Sequence, residues 1–211
     1  MVRAVRPVVE VFADVSCPFT HVGLRRFVER RAAAGRQDVL LRIRAWPLEI
    51  VNGHPLDATF VGEEVDEVRD QVAPALFRGF SVSSFPSSSM PAFATAAAAY
   101  RAGDDIGEAV SLHLRDLLFE EGEDISDRRV LERVAATYQL EIGDDDLHSV
   151  EVDHTEGKQR GVIGSPHFFT ATGSFFCPAL DISRNAAGHL RVVADPTAFE
   201  AMMAAALAPV K

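Results

Sequence analysis

Val8-Val9-Glu10-Val11-Phe12-Ala13 is a short β-branched apolar run. Phe19 to Ala34 follows at loose helical spacing (Phe19, Val22, Phe27, Val28), with Gly35 as a stop. Val39 to Trp46 is a second apolar run closed by Pro47. Strand, helix and strand in immediate succession make a βαβ unit. Such a unit favours parallel strands joined by a right-handed crossover, so the chain opens as an α/β protein.

The middle of the chain reads as helical. Pro91 to Tyr100 is alanine-rich and starts with a proline suited to a first turn. Asp104 or Asp105 caps a helix to about Glu121, with Val110, Leu114, Leu117 and Leu118 on one face. Ser126 or Asp127 caps the next, with Val130, Leu131, Val134 and Tyr138 turned inward, and an acidic helix covers Asp144 to Lys158. The serine-rich stretch Phe80 to Ser89 is a connector, with its two phenylalanines leaving room for a lid. Gly161 to Pro166 then leads into a hairpin, His167–Thr170 and Ser174–Cys177, turning at Ala171-Thr172-Gly173. Asp195 and Pro196 start a final helix, Thr197 to Leu207. The order is β-α-β, a helical block, then β-β-α.

With 211 residues, 47% hydrophobic and 25% charged, the chain can bury one sizeable core. A formal charge of −10 argues against nucleic acid, which needs clustered cations. The apolar run near the N-terminus is broken by Glu10 and Asp14, unlike a signal-peptide core, and no stretch has the apolar length of a membrane helix. A cytoplasmic protein is expected, with no nucleic acid or membrane partner.

The two cysteines, Cys17 and Cys177, are too few for a disulfide framework. Cys17 sits where a strand ends and a helix begins, and Pro18 suits the first turn. The partial positive charge and free N–H groups there favour a thiolate. Thr20 is placed to donate to the sulfur, and His21, four residues on, shares its face. Asp14 precedes this loop and either relays a proton or ties the loop through backbone hydrogen bonds. Simple hairpin pairing brings Cys177 near Pro166 or His167. It reads as a buried strand cysteine first, and as a displaced resolving thiol if its Cα lies within about 7 Å of that of Cys17. Cys17 and His21 have a metal-like spacing without a second pair, and His148, Glu151, Asp153 and His154 read as a solvated acidic face, so no metal site is expected.

Asp14-Val15-Ser16-Cys17-Pro18-Phe19, Arg44-Ala45-Trp46-Pro47-Leu48 and Gly161-Val162-Ile163-Gly164-Ser165-Pro166-His167-Phe168, in this order, resemble the DsbA-like thioredoxin family. The similarity is strongest to the branch holding FrnE-type oxidoreductases, 2-hydroxychromene-2-carboxylate isomerases and kappa-class glutathione transferases, and it spans nearly the whole chain. It implies a thioredoxin-like α/β fold with an inserted helical domain, the core being 1–61 and 159–211 and the insertion 62–158. It also implies that Cys17 is the attacking cysteine. Pro166 is then the cis-proline facing it, leaving the backbone before it free to pair with a bound thiol or peptide.

The second thiol of the family's Cys-x-x-Cys is Thr20 here, so Cys17-Pro18-Phe19-Thr20 is a monothiol motif. The preferred reading is a thiol-disulfide oxidoreductase acting through Cys17, with Thr20 and Pro166 beside it. Pro18, Phe19, His21, Trp46, Ser165 and Cys177 would line the substrate or thiol site, and a cleft is expected near Phe19, Trp46, Phe85 and Pro166. One alternative is a thiol-cofactor-dependent isomerase or transferase. Against it, the isomerases often carry serine where Cys17 stands, and Phe175 to Asp181 replaces their glycine and Asp-Arg anchor. The other alternative is a non-catalytic binding module. No tightly bound cofactor is expected, only a low-molecular-weight thiol as co-substrate. The expected partner is a small thiol or a disulfide-containing substrate, with a homodimer left open.

Overall fold

The computed structural model describes residues 6–186 and 188–208. The first five residues, part of the N-terminal stretch read above against a leader, lie outside the described residues.

Strand β1 (Val8–Ala13), helix α1 (Pro18–Ala33) and strand β2 (Leu40–Ala45) form the expected unit, with β1 and β2 parallel. The helical block comprises α2 (Leu48–Asn52), α3 (Ala58–Gln71), α4 (Met90–Ala102), α5 (Asp104–Phe119), α6 (Arg128–Tyr138) and α7 (Asp144–Gln159). The chain closes with β3 (His167–Thr170), β4 (Gly173–Phe176), β5 (Leu180–Arg184), β6 (Leu190–Ala194) and α8 (Pro196–Ala206). A four-stranded sheet runs β2-β1-β3-β4, with β3 antiparallel to both neighbours.

Alternation along β1 divides the interior. Val9, Val11 and Ala13 face α1 and α8, packing with Leu24, Phe27, Phe168, Met202 and Met203. Phe12 points the other way, to Trp46 and Val162. The largest core lies in the helical block, around Val61, Val65, Phe77, Leu114, Leu118 and Ile125. No described helix is long and apolar enough to cross a membrane.

Three differences from the sequence reading matter. Helix α3 was not anticipated, and residues 61 and 62, where core and insertion were divided, fall inside it. Its signal is present, since Asp57 caps it by accepting from the Phe60 N–H at 2.8 Å, and Val61, Val65 and Val68 form a buried stripe. The antiparallel pair β5–β6 was also missed; it forms its own two-stranded sheet. The stretch Phe80–Ser89 is a packed strap. Phe80 stacks on Phe119, and the Glu49 carboxylate accepts hydrogen bonds from the Ser88 hydroxyl and from the Ser89 N–H and hydroxyl.

Candidate active site at Cys17

The loop from β1 to α1 is held by Asp14, which is fully buried. Its Oδ1 accepts from the Ser16 N–H and hydroxyl, both at 2.7 Å, and its Oδ2 accepts from the Leu48 N–H at 2.6 Å. Asp14 therefore ties the loop to the start of α2. Burial raises its pKa, and the hydrogen bonds from Ser16 and Leu48 act against that rise.

Cys17 is the N-cap of α1, and Pro18 occupies the first turn. The Ser165–Pro166 peptide bond is cis, and the Cys17 thiol donates to the Ser165 carbonyl at 3.5 Å. The Ser165 hydroxyl oxygen accepts from the Asp14 N–H at 2.8 Å and is hydrogen-bonded to Thr20 Oγ1 at 2.7 Å. Ser165 thus joins the active loop, the first turn of α1 and the cis-proline segment at one point. Pro166 itself packs toward α1, where a Cβ on Gly23 would lie 3.5 Å from its ring. Of the residues singled out from sequence, Cys17, Pro18, Thr20, Ser165 and Pro166 come together here.

The expected lowering of the Cys17 pKa is corrected. Cys17 is only 4% exposed, and burial pushes its thiol up to about 11. The hydroxyl and N–H of Thr20 pull in the other direction, and the negative charge of Glu64 adds to the rise. Cys17 does sit at the helix start, but residues distant in sequence cover its sulfur, and that covering has no local signature. The open cleft expected at this position is closed over the thiol.

His21 is also corrected. Its imidazole turns from the sulfur to Glu120, with Nε2 and Oε1 2.8 Å apart, so the carboxylate accepts from a protonated Nε2. The ring lies between Phe77 and Phe119. Burial lowers the His21 pKa against the pull of Glu120. Burial alone would raise Glu120, yet hydrogen bonds from His21 and the Phe77 and Arg78 backbones outweigh it and bring it down to about 2. This pair clamps α1 to the helical block.

Trp46 lies in the cluster with Phe12 and Val162, its ring beside His154 of α7, and is 4% exposed. Phe19 and Phe85 pack on the main core instead, so the cleft expected to unite these aromatics is not assembled. Cys177 follows β4 and donates its N–H to the Pro166 carbonyl at 2.9 Å. Burial, then the charge of Cys17, pushes its thiol up to about 12.

Two charged side chains beside the loop lie outside the sequence reading. Arg115 of α5 is 2% exposed and donates to the Asp14 carbonyl at 3.2 Å and the Ser111 carbonyl at 2.7 Å. Burial lowers it to about 10, against the charges of Asp14, Tyr100 and Cys17. Its sequence signal is a charged residue four positions after Ser111, on the face adjoining Leu114 and Leu118. Glu64 of α3 is pushed up to about 7 by burial, with Arg184 opposing. Its relation to Cys17 spans distant segments and has no local signature.

No protein-family model matches the chain, and no curated protein sequence matches it. Solved structures do. A 2-hydroxychromene-2-carboxylate isomerase matches with a TM-score of 0.60 at 12% identity, over 80% of this chain and 88% of that one. The cytosolic disulfide reductase DsbM from Pseudomonas aeruginosa matches with a TM-score of 0.55 at 16% identity, over 93% and 96%. The same reductase with GSH matches with a TM-score of 0.55 at 15% identity. These likenesses are of fold: the chain has a DsbA-like thioredoxin fold with a helical insertion.

Proposed function

We propose that this chain is a cytoplasmic thiol-disulfide oxidoreductase in which Cys17 is the attacking sulfur. The observation that carries this reading is the contact of the Cys17 thiol with the carbonyl before cis-Pro166, at the start of α1. The likeness to a cytosolic disulfide reductase, over nearly the full length of both chains, supports it.

In the closed site the thiol is protonated, because burial holds it near 11. Entry of a disulfide substrate displaces the Ser165 carbonyl from the sulfur. The thiolate then accepts from the Thr20 hydroxyl and N–H at the positive end of α1. It attacks one sulfur of the substrate; the other leaves as a thiolate and takes up the proton that Cys17 gave up. The product is a mixed disulfide on Cys17. Thr20 has no sulfur with which to resolve it, so a second thiol does so, and a low-molecular-weight thiol is the co-substrate.

A second reading, a binding module without chemistry, is favoured by the 4% exposure of Cys17. Glutathione-driven reduction of hydroxyethyl disulfide separates the two. The oxidoreductase reading expects turnover that Cys17→Ala abolishes. Absence of turnover, or turnover retained in Cys17→Ala, contradicts it.

A further inference from the structure

We propose that Arg115 is a positioning residue for the Cys17 loop, and that one water, held in the cavity shared by its Nε and the Ser111 hydroxyl, completes its anchorage. The effect on chemistry rests on the reading of Cys17 as an attacking sulfur; the hold on the loop does not.

Asp14 lies three residues before Cys17, and each of its polar groups is engaged. Its N–H donates to the Ser165 hydroxyl oxygen, its Oδ1 accepts from Ser16, and its Oδ2 accepts from the Leu48 N–H. The remaining group, the Asp14 carbonyl, accepts from Arg115 Nη2 at 3.2 Å. Of these bonds, that one comes from α5. A second bond, from Nη1 to the Ser111 carbonyl at 2.7 Å, ties the guanidinium to its own helix one turn back. Two bonds from one rigid plane fix its aim, which a single-point ammonium cannot do.

Arg115 also lines a cavity of about 30 Å³, together with Val15 of the loop, Tyr100, Ser111 and Asp153. Arg115 Nε and Ser111 Oγ are buried, and neither has a hydrogen-bond partner among the described residues. The two residues are 2% and 1% exposed. Buried polar groups are paired as a rule, with ordered water serving where the protein supplies no partner. A water needs about 10–15 Å³ and two to four polar partners, and this cavity offers three. The Arg115 Nε–H donates to the water oxygen, and the water donates to Ser111 Oγ. The Tyr100 hydroxyl, beside that of Ser111, accepts from the Ile43 N–H at 2.7 Å and gives its own hydrogen to the water.

An anion would answer the same donors. Asp153 walls the same cavity, however, its carboxylate held by Arg44 and by the Ala45 N–H. A second negative charge beside it is repelled, so the occupant is neutral. The water then holds the Nε edge of the guanidinium while the Nη groups hold the two carbonyls.

The test begins with a crystal structure of the full chain. One water within about 3.2 Å of both Arg115 Nε and Ser111 Oγ is expected. A dry cavity, at a resolution where other buried waters are seen, overturns the hydration. Amide exchange then follows Ser16 and Leu48, which bond the Asp14 carboxylate, against Val11 of the sheet. In Arg115→Met the first two are expected to exchange at least about tenfold faster while Val11 changes little; loss of packing alone moves all three together. Arg115→Lys keeps the charge without the fork and is expected to show the same pattern, and Ser111→Ala a weaker one. Formation of the Cys17 adduct from glutathione disulfide, in a Cys177→Ser background, is expected to slow about tenfold or more in both Arg115 variants. Uniform exchange, or adduct rates equal to or above the parent's, overturns the positioning role. No adduct in any chain, the parent included, refutes the nucleophile instead, and the exchange pattern alone then decides whether Arg115 holds the loop.

Discussion

Thr20→Val removes one hydroxyl at a fully buried position and keeps the side chain's shape. The hydroxyl is bonded to Ser165 Oγ at 2.7 Å and pulls the Cys17 pKa down against burial. A hydrogen bond to a charged group contributes about 1.5–3 kcal/mol, against about 0.5–1.5 kcal/mol for a neutral one. Its loss therefore disfavours the thiolate over the thiol by about 1–2 kcal/mol, roughly one pKa unit. With the thiol near 11, about one sulfur in a thousand is ionised at pH 8. The variant is expected to react about tenfold more slowly again. The assay is the pseudo-first-order rate of iodoacetamide alkylation of Cys17 across pH 7–10.5, in a Cys177→Ser background. The wild-type side chain should give the faster limb at every pH. Superimposed profiles would show that the hydroxyl does not serve the sulfur, and a faster variant would invert the reasoning.

Other consequences concern the frame around the sulfur. Glu120→Gln removes a carboxylate held near 2, against 4.5 when unfolded. Its stabilisation is present above 4.5 and lost as pH falls toward 2, so the variant should melt lower at pH 7 and show a flatter Tm–pH curve across that window. Asp14→Asn cannot accept from both Ser16 and Leu48, because one side of the amide is a donor; a loss of about 1–3 kcal/mol is expected in urea unfolding, and an unchanged midpoint would refute the loop-tie role. Gly157→Ala places a Cβ 2.7 Å from the Trp46 ring and 3.0 Å from Phe12, and should destabilise by about 1–3 kcal/mol, read as a lower Tm.

Much of the fold was legible because its signals are local. The runs Val8–Ala13 and Leu40–Ala45, the proline after Cys17 and the Asp195-Pro196 start of α8 are each decided within a few residues. Helix α3 was overlooked because acidic residues separate Val61, Val65 and Val68, so the stripe is thin even though its period is right. Strands β5 and β6 were overlooked because Asp181, Ser183, Arg184 and Arg191 keep the pair half polar. At the site, residue positions were readable and orientations were not. His21 shares a helical face with Cys17, yet its partner is Glu120, ninety-nine residues away. The state of the Cys17 thiol is likewise set by distant elements: it is buried against the Ser165 carbonyl, and the negative charge of Glu64 adds to the rise that burial causes.

The central claim is that Cys17 is a nucleophile despite its burial, and one measurement meets it directly. The Cys177→Ser chain is incubated with glutathione disulfide and mapped by peptide mass. The account predicts a single glutathione adduct on the peptide carrying Cys17, absent when Cys17→Ala is added. An unmodified Cys17 peptide after prolonged incubation of folded protein would contradict it.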